Sequence, residues 1–178
     1  SQYCLSDTQR QTLIATSGWT ITDGGFSCGI KVSPKVYLQG AAINPNVGEE
    51  HLMRDDLRIA GFIPTRSPYE DMISCEATVF NTTGDDAIVD WVWVELRDAT
   101  DNTTVLNGQS ALLQRDGDVV ATDGTSALSF DIATGNYYVT IQHRNHLGIM
   151  SSNTVELTTI AVIVDFTDGS TSTFGTNA

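Results

Sequence analysis

Between residues 73 and 166 apolar and polar positions alternate in short runs. Leu128, Phe130 and Ile132 alternate with Ser129 and Asp131, and Tyr137, Val139 and Ile141 repeat the pattern. A period of two puts one set of side chains on a covered face and the other in water, as in a half-buried strand. Cys75 to Phe80 reads as another alternating strand, and Glu156 to Phe166 as one long β-branched strand. Ile88 to Leu96 differs, with Trp91 and Trp93 on one face and Val92, Val94 and Leu96 on the other. Such a strand is predicted to be central and covered on both sides. Turn-forming residues separate these runs at Asn81 to Gly84, Asp101-Asn102, Asp116-Gly117, Asp123-Gly124 and Thr134 to Asn136. The rhythm predicts an all-β fold, an antiparallel sandwich or jelly-roll-like domain of roughly eight strands.

Two regions break the rhythm. Near the start, Ser6 to Gln9 resembles a capping box, and a short helix is expected to run to about Thr16 before Ser17-Gly18 ends it. Trp19 to Thr22 then alternates like a strand. Residues 1–30 therefore read as an amino-terminal stub and residues 31–178 as the sandwich module. Within the module, Lys35 to Gln39 reads as a strand. Asn44 to Tyr69 is irregular and holds three of the four prolines, with room for one short helix in Glu49 to Ile59. A loop of that length in a compact domain is usually functional or packs as a lid. The tail from Asp168 to Gly175 is polar and reads as a linker or a surface strap.

Charge narrows the partners. The 22 acidic and 9 basic residues give a net charge of -13, which disfavours nucleic acid and anionic membranes. It suits calcium, cationic partners or neutral glycans, or serves solubility alone. No apolar run approaches the ~20 residues of a spanning helix, so membrane insertion is not expected. The three cysteines, Cys4, Cys28 and Cys75, show no metal-binding spacing. Their odd count permits one disulfide plus a free thiol, or an intermolecular bridge. A Cys4–Cys28 bridge is expected, in an extracytoplasmic setting. Cys75 reads as structural, because no basic group is near it in sequence to activate it.

Several segments together resemble a known module: KVYLQG at 35–40, LMRDDLR at 52–58, VDWVWVELR at 89–97 and SALLQRDGD at 110–118. YYVTIQHRNHLGIM at 137–150 and the DFT at 165–167 with GTN at 175–177 complete the set. In this order they resemble a module of large secreted and surface-anchored proteins of the Bacteroidetes, over about residues 35–178. Residues 13–28, with GWTITDGG at 18–25, resemble the closing unit of leucine-rich-repeat surface proteins from the same bacteria. The resemblance implies a secreted, extracellular or cell-surface protein, adhesive or glycan-associated, and supplies no catalytic residues.

Four constellations carry candidate chemistry. Asp116, Asp118 and Asp123, with Gly117 and Gly124, offer oxygen ligands that can wrap calcium, or form two ordinary hairpin turns. Arg54, Asp55, Asp56 and Arg58 form an ion-pair latch on the long loop, or weak surface pairs at helical spacing. His143 and His146 can bind zinc, but spacing of three along one strand sends the rings to opposite faces. A core histidine at 143 with a hydrogen-bond partner is favoured. Trp91 and Trp93 are expected in the core, leaving Tyr69 and Tyr138 as the exposed aromatics for a ligand such as a sugar.

Catalytic motifs are scarce. Gly108-Gln109-Ser110-Ala111-Leu112 fails the nucleophile elbow at its last position. The expectation is therefore a non-enzymatic structural or adhesion module, either a subunit that assembles with copies of itself into a fibre through its amino-terminal segment or one joined to neighbouring domains of a larger surface protein. The alternative is a glycan-binding module attached to a secreted enzyme, and a hydrolase comes third.

Overall fold

A computed structural model describes residues 15–17 and 29–175. Residues 15–17 are helical, at the place where the capping-box helix was expected to end. The other residues up to 28, including Cys4 and Cys28, lie outside the described residues, and Ile30, placed in the stub by the sequence, opens the first strand. No helix among the described residues is long and apolar enough to cross a membrane.

Among the described residues nine strands form two sheets, and the domain is an all-β sandwich. They are β1 (Ile30–Lys35), β2 (Ile88–Asp98), β3 (Val105–Gln114), β4 (Val119–Val120), β5 (Leu128–Phe130), β6 (Gly135–His143), β7 (His146–Met150), β8 (Val155–Leu157) and β9 (Val162–Asp165). The larger sheet has the order β4-β3-β2-β6-β7, with β8 also pairing β6. The smaller has the order β5-β1-β9. All pairings are antiparallel except β1 with β9.

As expected, β2 is central, and every residue from Ile88 to Leu96 is buried. Val92, Val94 and Leu96 join Val139 and Ile141 of β6 in a core that includes Ile30, Val32, Leu128, Phe130 and Val164 of the smaller sheet. Trp91 lies in a second cluster with Ile63, Cys75, Ile88, Leu112 and Val120. The segment after Ile63 covers this second cluster as a third layer. Trp91 Nε1 donates to the Pro64 carbonyl at 2.8 Å. Ser110 is gripped twice by Asp71, backbone amide to Oδ2 at 2.7 Å and hydroxyl to Oδ1 at 2.6 Å. Trp93 packs over Gly108, where a Cβ would stand 2.6 Å from the indole and could not be accommodated.

Four elements depart from the sequence expectations. The strand read at 35–39 is β1, ending at Lys35. Pro34 sits inside it, which is tolerated because β5 pairs only as far as Val32 and asks no donor of Pro34, while Lys35 beyond it bridges Asp118. Cys75 to Phe80 is not a strand, because Ala77–Asn81 is a 3₁₀ turn. The long strand read at 156–166 is two strands in different sheets. Thr158 makes the corner, its hydroxyl donating to the Ile160 carbonyl and accepting from the Ile160 amide, both at 3.2 Å. Helix in the 49–59 stretch is confined to α2 (Asp56–Ile59), and another turn of helix, α1, spans Gln39–Ala42. The tail behaves as a strap: the Phe174 amide donates to the Met150 carbonyl and the Ser152 amide to the Ser172 carbonyl, both at 2.8 Å.

Candidate functional site

The densest polar cluster stands at the end of β6. Arg144 and Asn145 form a two-residue turn, so His143 and His146 face each other as cross-strand partners. The rings do not go to opposite faces. Their Nδ1 atoms are 2.9 Å apart and their centroids 4.8 Å. Alternation along one strand stops applying when the chain reverses between the two residues.

The donors fix the tautomers. His143 Nδ1 accepts the Asn145 amide at 3.2 Å, so its proton sits on Nε2, 3.2 Å from Asp90 Oδ2. His146 Nδ1–H then donates to His143 Nδ1, and His146 Nε2 accepts the Gly40 amide at 3.1 Å. Asp90 is only 2% exposed, and its carboxylate also accepts from Arg144 Nη2 and from the Trp91 amide, both at 2.8 Å. His143 is thus a core histidine with a partner.

A cavity of about 260 Å³ lies beside the pair, walled by Leu38, Ala41, Leu57 and Val89, with Arg54 and Asp90 at its polar side. A groove of about 400 Å³ lies on the other side, between Tyr37 and Leu38 and the β7 residues Leu147 and Ile149.

The long loop is locked by ions, with a centre that the sequence reading missed. Asp55 is buried and receives Arg58 through both Nε, at 2.8 Å, and Nη2, at 2.5 Å. Arg54 and Asp56 form a more exposed pair. The missed residue is Arg115, whose side chain is 5% exposed. It donates from Nε to the Met53 carbonyl at 2.7 Å, pairs with Glu49 and lies 3.7 Å from Asp55. Its guanidinium holds the Glu49 carboxyl down at about 2, with help from Asn46. A lone Arg inside a strand–turn run of polar residues gave no pattern to read.

The remaining expected site residues do not converge. Asp116 Oδ1 accepts the Asp118 amide at 3.1 Å, and Asp118 pairs with Lys35 at 2.8 Å. Asp123 caps its own turn, accepting from the Thr125 and Ser126 amides and the Ser126 hydroxyl. Among the described residues no three His, Cys, Asp or Glu side chains form a metal-holding group. Tyr69 is half-buried rather than exposed. Its hydroxyl contacts the Trp91 and Gln142 carbonyls at 3.3 and 3.4 Å, and its ring lies 5.9 Å from that of Trp93. Tyr138 is partly exposed and stands opposite Arg97, which grips Glu95 through two nitrogens. Cys75 is free and buried, and burial pushes its thiol up.

Comparison with protein-family models, curated proteins and solved structures finds no match. The reading of the site accordingly rests on its own geometry. Both ring nitrogens of each histidine, the Asp90 carboxylate and the buried guanidinium of Arg115 are bonded to the protein itself. The arrangement holds α1 and the long loop against the larger sheet.

Proposed function

We propose that the chain is a non-catalytic structural or adhesion module of an extracellular bacterial surface protein, assembling with copies of itself. One observation carries the assembly: β9 pairs only with β1 among the described strands, and its other edge is met by the tail only at Asp165, whose carbonyl accepts the Thr171 amide at 3.1 Å. Beside that edge Ile160 is 77% exposed and Ile163 70%. An open strand edge offers unpaired backbone groups to another strand, and proteins that remain monomeric guard such edges with charge, proline or a cover. Here the exposed side chains are isoleucines. The alternating Trp19 to Thr22 segment of a second copy supplies a strand of suitable pattern, and pairing of this kind leads head-to-tail to open chains.

Three further features support the reading. The six-segment resemblance points to secreted surface proteins. The acidic composition suits a protein working outside the cell. Burial of both β2 tryptophans favours a structural role over a flat sugar-binding platform.

Substitution at the edge tests the proposal. The unmodified chain is expected to give oligomers by native mass spectrometry, which Ile163→Lys should abolish and Phe62→Lys, at an exposed apolar residue of the long loop, should leave. Equal oligomer content in both variants would sink the assignment of the edge.

A further inference from the structure

We infer that the Gly40–His146 contact is an acid-released latch, closing the end of the sandwich at neutral pH and letting go of α1 when one proton is added to the histidine pair. The geometry requires this whichever ring takes the proton. In the neutral pair the two ring protons sit on His143 Nε2 and His146 Nδ1, and these satisfy Asp90 and His143. The acceptors left are His143 Nδ1, already taking two donors, and His146 Nε2, taking the Gly40 amide. A third proton on His146 goes to Nε2 and points at the Gly40 N–H. A third proton on His143 goes to Nδ1 and confronts the His146 Nδ1–H at 2.9 Å. That clash is relieved when His146 carries its own proton on Nε2 instead, again facing Gly40. Two donors cannot share that contact, so the bond from α1 to the hairpin is lost.

Backbone and ring are built to meet here. A Cβ at Gly40 would stand 3.0 Å from His146 Nε2, so only glycine brings the amide this close without displacing the ring. The charged groups around the pair are Asp90, reached through His143, Arg144 on the turn, and Arg54 with its partner Asp56 across the cavity. Arg54 donates to the Gly40 carbonyl at 3.0 Å and brings a positive charge to the same turn, which opposes a second cation on His146. Asp90 pulls the other way. Burial, then the neighbouring His143, hold His146 below its ordinary value of 6.5 despite Asp90. Folding therefore favours the neutral ring. The stability this supplies is fully present above about pH 6.5 and is lost as the pH falls through the lower folded value.

Release would separate α1 from the β6–β7 turn and join the cavity beside Leu38 and Val89 to the groove beside Leu147. Acidification is thus coupled to exposure of apolar surface at one end of the module.

Solution NMR tests the latch on the whole chain. Between pH 7.5 and 4.5 the Gly40 amide is expected to lose its exchange protection, relative to the intrinsic rate at each pH, in a single one-proton step below pH 6.5. The His146 ring resonances should titrate with the same midpoint. His146→Gln, which retains an acceptor and cannot titrate, should keep Gly40 protected throughout. Should that variant fail to fold, the coincidence of the two wild-type midpoints remains the test. Gly40 protection that is flat with pH, or that falls with a midpoint different from the His146 ring, overturns the inference.

Discussion

Arg115→Ala is expected to lower the free energy of unfolding by about 3–5 kcal/mol, the usual cost of removing one partner of a buried ion pair. The side chain is 5% exposed and sits beneath the long loop. Its removal leaves the buried Asp55 carboxylate with Arg58 alone, and takes from the Met53 carbonyl its guanidinium donor. Glu49 loses the charge that tethers it to the strand. Arg54→Ala provides the contrast. Its pair with Asp56 is more exposed, and such pairs contribute about 0–1 kcal/mol. Urea denaturation of the two variants checks this. Similar losses for both would show that Arg115 is not the centre of the latch.

Trp91→Ala should be comparably damaging, at about 3–5 kcal/mol, as for other buried tryptophans cut back to alanine. The indole is 0% exposed and lies between the larger sheet and the covering segment. It also supplies the 2.8 Å hydrogen bond to Pro64, so its loss removes both the packing and a tether. The segment between Ile63 and Phe80 is expected to become the first site of limited proteolysis in this variant, while the wild type resists there. Trp91→Phe, which keeps most of the apolar volume, should lose less and leave the segment protected. Equal cleavage of wild type and Trp91→Ala in this segment would show that the indole does not hold the cover.

The two variants probe what the sequence showed well and what it hid. The burial of β2 was legible because nine consecutive residues leave no wet face. So were β5 and the start of β6, where a strict period of two survives. The division of residues 156–166 between two sheets was not, because β-branched side chains look alike whichever sheet receives them; only Thr158 makes the corner. The 3₁₀ turn at Ala77–Asn81 was misread because a few alternating apolar residues also suit a turn lying on a hydrophobic face. The latch at 54–58 was visible as a run of opposite charges. Its buried centre was not, since Arg115 is far away in sequence and meets the loop only through the fold. The meeting of His143 and His146 was hidden for a related reason. Cross-strand pairing depends on where the chain turns, and Arg144-Asn145 is not a glycine-marked turn. Long-range polar contacts were the part least accessible to local pattern, and the candidate site is made of them.

Assembly through the β9 edge is checked by sedimentation velocity of the unmodified chain over a concentration series. The sedimentation coefficient is expected to rise with concentration as copies add along the edge. A single monomeric boundary at every concentration, up to the highest the protein tolerates, would contradict it.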